Sequence, residues 1–123
     1  MSNVNDILKR AMDIDGAVGV ALVEYTSGMT LGTAGGGPHL DLEVAAAGNT
    51  EVVRAKLRTM AQLGVEGSIE DILITLDTQI HLIRLIQGAG GEGLFLYLAL
   101  IKAQSNLAMA RRSLTALERD LVI

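Results

Sequence analysis

The chain has no cysteine and no tryptophan, and its 123 residues include only three aromatic side chains, Tyr25, Phe95 and Tyr97. Without cysteine, disulfides, thiolate metal sites and a thiol nucleophile are excluded. The scarcity of rings removes the stacking platforms on which nucleic-acid binders hold bases. Charge points the same way. Acidic residues outnumber basic ones 14 to 10, a net charge of −4, so the basic footprint that a phosphate backbone requires is missing. Long hydrophobic runs are missing too: the longest, over residues 94–101, falls far short of the roughly 20 residues that span a bilayer. Polar Ser2, Asn3, Asn5 and Asp6 stand where a signal peptide would carry its apolar stretch. The expectation is a soluble, cytoplasmic protein that neither binds nucleic acid nor inserts into a membrane.

What is present is aliphatic. Half of the residues are apolar, and the length suits a single domain, 1–123, with a sizeable core. Val4, Ile7, Leu8, Ala11 and Ile14 recur at helical spacing and predict a first helix over 3–13, with Asp6 early and Lys9-Arg10 late, as the helix dipole favours. Gly16 ends it. Small and β-branched residues over 17–25, a turn at Thr26-Ser27-Gly28, and residues 29–33 predict a β-hairpin. A glycine-rich loop, Gly35-Gly36-Gly37-Pro38, leads to a long helix over 41–63, with Asp41 as its N-cap and Gly64 as its left-handed stop. One stripe of that helix carries Leu42, Ala45, Asn49, Val52, Val53, Leu57 and Met60, while Arg54, Lys56 and Arg58 decorate other faces. The succession Ala45-Ala46-Ala47-Gly48 would let another element approach closely.

Residues 71–86 predict a second hairpin, broken at Asp77-Thr78. Ile72, Ile74 and Leu76 share one face of its first strand, with Leu73 and Thr75 on the other; Ile80 and Leu82 oppose Ile83 and Leu85 in the second. A hairpin apolar on both faces must be covered twice. Arg84 interrupts the apolar run, as is common at a sheet edge or interface rim. After a loop over 88–93 come a fifth strand over 94–101 and a closing helix over 103–120, whose seam is Leu107, Ala110, Leu114, Leu117 and Leu121. The order is α-β-β-α-β-β-β-α.

Few residues carry chemistry. Gly88, Gly90 and Gly93 spell G-x-G-x-x-G, but a strand rather than a helix follows, and no acidic residue stands where the dinucleotide fingerprint requires one. Residues 32–37 lack the Lys-Ser/Thr ending of a P-loop. His39 and His81 have no partner at metal-ligand spacing, and no cofactor is expected. Ser27, Ser68, Ser105 and Ser113 read as turn, loop or helix-surface residues, and the pairs Asp13/Asp15 and Glu70-Asp71 are local, so no catalytic residue is assigned. Arg54, Lys56 and Arg58, or Arg111 and Arg112, read first as solvated helix faces and second as contacts for an acidic partner or a GTPase.

The element order, with the strings Asp15-Gly16-Ala17-Val18-Gly19-Val20-Ala21-Leu22-Val23, Ser27-Gly28-Met29-Thr30-Leu31 and Gln104-Ser105-Asn106-Leu107-Ala108-Met109-Ala110-Arg111, resembles the roadblock/dynein light chain family across nearly the whole chain. It departs from the family at Asp15, where members often carry proline, and in its longer glycine-rich loop over 32–38. The resemblance implies an α+β fold, a five-stranded antiparallel sheet flanked by helices, similar to profilin and longin folds. It also implies a dimer joined through the third strands and the long helices, and, for bacterial members, a small Ras-like GTPase as partner. The residues expected at the dimer interface are Ile72, Ile74, Leu76, Ala46, Asn49, Val53 and Met60, with Arg54 and Arg58 facing the partner. The first reading is thus a non-enzymatic homodimeric regulator or scaffold of a small GTPase, with GTPase activation as one form of that role. The alternative is a ligand-sensing α/β module with a pocket between sheet and helix.

Overall fold

A computed structural model describes residues 2–88 and 90–123. Its elements are α1 (Val4–Ala11), β1 (Ala17–Glu24), β2 (Met29–Gly35), α2 (Leu42–Leu63), β3 (Asp71–Thr75), β4 (Gln79–Leu85), β5 (Leu94–Ile101), a 3₁₀ turn (Lys102–Gln104) and α3 (Leu107–Asp120). The strands form one antiparallel sheet in the order β2-β1-β5-β4-β3. The predicted α+β class, strand number and element order all hold. The third strand is an edge, and β2 is the other.

The position of β5 explains its unbroken apolar run. It lies at the centre of the sheet and is buried on both faces. Leu94, Leu96, Leu98 and Leu100 join Ile7, Leu8, Ala11, Leu114 and Leu117 in a core beneath α1 and α3. Phe95, Tyr97 and Ala99 join Leu42, Ala46, Val53, Ile83 and Leu85 on the α2 side. A strand covered twice has no polar face to alternate with.

Helix α1 is shorter than its apolar periodicity. It stops at Ala11 because the next amides tighten: Asp13 N donates to Arg10 O and Ile14 N to Ala11 O, before Gly16 turns the chain at φ +85°. It lies close on β2 because Gly32 has no side chain; a Cβ there would sit 2.8 Å from Leu8 Cδ1. Strand β2 runs on to Gly35, two residues past its expected end, as Ala34 and Gly35 still pair with Val20 and Gly19.

Helix α2 keeps its predicted ends. Asp41 Oδ1 accepts from Glu43 N and Val44 N, and Gly64 adopts φ +71°. The buried stripe is Leu42, Ala46, Thr50 and Val53, set over β1 and β2. Val52, read as part of one apolar stripe, faces outward because it is one step round from the buried residues. Thr50, the buried polar residue, satisfies its hydroxyl on Ala46 O at 2.7 Å.

The closing helix begins at Leu107, four residues later than expected. Residues 102–104 form a separate turn tied to Thr78 O through Lys102 N, and Asn106 Oδ1 caps Met109 N at 3.0 Å. An Asn at that position favours a helix start over a helix interior. Its seam is as expected: Ala110, Leu114 and Leu117 are buried, with Leu107 and Leu121 packed beside them.

Arg84 requires a correction. It is on β4, which is paired on both sides, so it marks neither an edge nor a rim. Its Nε donates to Glu118 Oε1 of α3 at 2.8 Å, and Glu118 Oε2 accepts from Gln87 N; both charged side chains are less than a fifth exposed. A second clamp lies nearby, where Arg111 Nε and a terminal nitrogen meet the two oxygens of Asp71 at 2.8 and 3.0 Å. Together they fasten α3 to the β3–β4 hairpin. Glu118→Ala strands the Arg84 guanidinium in a mostly buried site and is expected to cost about 1–3 kcal/mol. In urea denaturation the double variant Arg84→Met/Glu118→Leu is expected to regain most of that loss.

Candidate interaction surfaces

The polar side chains weighed for catalysis are mostly engaged in local structure. Ser27 Oγ donates to Glu24 Oε1 at 2.7 Å and accepts from Met29 N, and Ser105 Oγ donates to Lys102 O. His39 is exposed in the loop before α2. Gly88, Gly90 and Gly93 lie in the connection to β5, so a strand follows, as expected; Ala89 of that loop lies outside the described residues. Among the described residues, no group of three or more His, Asp or Glu is placed to hold a metal ion, and no helix is long and apolar enough to cross a membrane.

His81 is the one half-buried imidazole. It sits on β4 opposite Ile74 of β3, on the α2 side of the sheet. Its Nε2 lies 2.8 Å from Gln79 Oε1 and its Nδ1 lies 3.2 Å from the Tyr97 hydroxyl. The rings of His81 and Tyr97 meet edge to face at 5.3 Å. With Nε2–H donating to Gln79 and Nδ1 accepting from Tyr97, the neutral ring is fully satisfied. Burial lowers the His81 pKa from its ordinary value and pushes the Tyr97 phenol up to about 12. Both groups are therefore neutral near pH 7, a pairing that positions side chains rather than one that moves protons.

Two surfaces remain. The first is the outer edge of β3. Its strand spans five residues, with Ile72 and Ile74 half-buried toward the α2 side, and Leu73 and Leu76 exposed at 37% and 44%. Leu76 lies just past the strand, its amide donating to Gln79 O at 2.8 Å. The second is the outer face of α2. Ala46 and Val53 are not on it: both side chains are fully buried against the chain's own sheet. Asn49 is half-buried, with Nδ2 on Ala45 O at 2.8 Å, and Met60 is half-buried as well. The apolar groups that α2 presents outward are Val44, Val52 and Leu63. Arg54 and Arg58 are exposed and flank a depression of about 340 Å³ with Tyr25, Thr26 and Leu57. Nothing in the local pattern signals that grouping, because it joins α2 to the β1–β2 turn across the fold. The Arg111–Asp71 clamp was also missed, since nothing in the local pattern marks either residue. A depression of about 660 Å³ opens beside the other sheet edge between Ser2–Asp6, Leu31 and Ile123, rather than between sheet and α2.

No family model matches the chain, and no curated protein matches it in sequence. Solved structures do match in shape. Myxococcus xanthus MglB superposes with a TM-score of 0.82 at 16% identity, covering 95% of this chain and 89% of that one. A Roadblock/LC7 domain from Streptomyces avermitilis superposes with a TM-score of 0.80 at 13% identity, covering 97% and 94%. The chain has the Roadblock/LC7 fold. An MglB structure with a tetrameric arrangement gives 0.79 at 16% identity over 95% of this chain and 83% of that one. The roadblock fold thus stands on architecture at an identity too low to carry residue roles across.

The His81 geometry fixes a pH response. Its pKa is depressed on folding, so the unfolded chain binds the proton more readily. The stabilisation is complete above the unfolded value near 6.5 and is lost as pH falls through the lower folded value. In urea melts between pH 7.5 and 5, His81→Gln is expected to flatten the decline in stability relative to the parent chain. Parallel declines would remove His81 as its source.

Proposed function

We propose that this chain is a non-enzymatic regulator or scaffold, acting in the cytoplasm as a homodimeric single domain that binds a small Ras-like GTPase. The observation that carries the reading is the open β3 edge, where unpaired backbone groups run beside Leu73 and Leu76. An edge of this kind is a template for another strand, and a second copy of the same strand meeting it antiparallel closes the sheet symmetrically. A five-residue strand spans only about 17 Å, which falls short of the roughly 800 Å² per partner of a stable interface. The outer face of α2, with Asn49, Val52, Met60 and Leu63, supplies the remainder in this reading. Ile72 and Ile74 line the seam, and Ala46 and Val53 support it from inside.

The partner assignment has two supports. The sequence strings resemble a family whose bacterial members imply a Ras-like GTPase, and the fold is that of MglB. Arg54 and Arg58 are the charged groups offered to that partner. Acceleration of GTP hydrolysis is one form of the role and simple recruitment is the other.

Ile74→Asp places a charge beside the seam and is expected to shift the mass in light scattering from dimer to monomer. Leu76→Lys, at an exposed site beyond the strand, is expected to shift it the same way without the folding cost. An unchanged dimer in both variants would overturn strand pairing. A small GTPase that co-purifies from the native cell is expected to turn over GTP several-fold faster with this chain than without it if the role is activation; co-elution at an unchanged rate leaves recruitment. Failure of any GTPase to co-purify would count against the assignment.

A further inference from the structure

We propose that the cleft between α2 and the β1–β2 turn receives an extended acidic segment of a partner protein, two carboxylates spaced i and i+2 meeting Arg54 and Arg58. The inference rests on the reading that these arginines face a partner, and it adds the chemistry and spacing of what they accept.

The first observation is unspent charge. No acidic residue lies between Glu51 and Glu66, and that interval holds Arg54, Lys56 and Arg58. Among the described residues none of the three has an ion pair; the same holds for Lys9, Lys102, Arg112 and Arg119, but Arg54, Lys56 and Arg58 lie together on one stretch of helix that holds no carboxylate. This occurs on a chain whose net charge is −4, where carboxylates are in surplus. The helix dipole does not account for it either, since the last turn of α2 contains no basic residue.

The second observation is a stiff floor. Tyr25, Thr26 and Leu57 complete the lining of the depression. Tyr25 is pinned by its amide to Gly93 O at 2.9 Å, and its ring stacks on the buried Phe95 with centroids 6.5 Å apart. An open depression with a held aromatic base and two exposed guanidinium groups at its rim needs little reordering to accept a ligand.

Spacing selects the ligand. Arg54 and Arg58 are one helical turn apart, so their Cβ atoms are separated by about 5–6 Å. In an extended segment, side chains at i and i+2 share a face and are about 6.5–7 Å apart, while neighbours point to opposite faces. A phosphate would meet the same two guanidinium groups; the Tyr25 and Gly28 amides, which already donate to Gly93 O and Glu24 O, would add nothing to it.

The test is titration of the ¹⁵N-labelled full chain, followed by amide and arginine side-chain shifts. The probes are an end-capped peptide containing Glu-Ala-Glu, its Gln-Ala-Gln counterpart, a Glu-Glu-Ala peptide and inorganic phosphate. The Glu-Ala-Glu peptide is expected to move Tyr25, Thr26 and residues 54–58, and Arg54→Ala/Arg58→Ala is expected to weaken it about tenfold or more, as loss of charge-assisted contacts requires. Equal binding of the Gln peptide, of the adjacent-carboxylate peptide or of phosphate would overturn the proposal, as would shifts that fall elsewhere. The assay uses neither a GTPase nor an oligomer readout, so its failure leaves the proposed dimer and its GTPase to their own tests.

Discussion

Burial of β5 on both faces is the constraint from which the architecture follows. Seven of its eight residues are buried, and none carries a charge. Each large aliphatic removed from water contributes about 1.5–3 kcal/mol, so the strand is stable only where it is covered above and below. Coverage from one side comes from α2, and from the other it comes from α1 and α3 together. The two hairpins then extend the sheet outward from β5, one through β1 and the other through β4. Edges at β2 and β3 are what remains when the centre has been satisfied.

Those two edges are not equivalent. Helix α1 lies against β2, drawn in by the missing side chain at Gly32, and the chain's ends are tied beside it where Asn3 N donates to Val122 O and Val122 N to Asn3 Oδ1. Among the described residues, strand β3 has no such cover. It is held in place instead by the forked contact of Arg111 with Asp71 at its first residue, while Arg84 and Glu118 secure the strand beside it. An exposed edge that is fixed from behind loses little freedom when a second strand adds to it. If the edge pairs as proposed, the clamps bear on association as well as on stability.

Much of the fold was legible in the sequence because periodicity and punctuation agreed. Asp41 and Gly64 bound α2 at positions read from residue type alone, and the 3,4-spaced seam of α3 packs as written. The edge position of the third strand came from the family resemblance, in which third strands join, and not from periodicity. What the pattern misread were cases in which a distant contact outweighed local periodicity. Arg84 looked like an edge residue because its partner, Glu118, lies 34 positions away. Val52 belonged to a plausible stripe, yet the helix is rotated so that Leu42, Ala46, Thr50 and Val53 meet the sheet. The same rotation takes Ala46 and Val53 inward and leaves Val44, Val52 and Leu63 outside. The cleft at Arg54 and Arg58 was half legible: the charges were visible, but Tyr25 and Thr26, nearly 30 residues earlier, were not connected to them.

The position of that cleft has a consequence for how the two surfaces work together. Tyr25 follows β1, and β5 and β4 separate β1 from the β3 edge. Three strand spacings put Tyr25 about 14 Å from the β3 edge. A segment lying in the cleft would therefore leave the β3 edge itself free, whereas the part of the proposed seam on α2 runs past Arg54 and Arg58 on the same helix. One rigid core then serves both ends: Phe95 of β5 supports Tyr25 on one side, and the neighbouring Tyr97 holds His81, opposite Ile74 of the edge strand, on the other. An aliphatic centre with the proposed contacts at its margins is what a small, ring-poor chain can build, because its interior polar groups, Thr50, Tyr97 with His81, and Arg84 with Glu118, are already satisfied by one another or by the backbone.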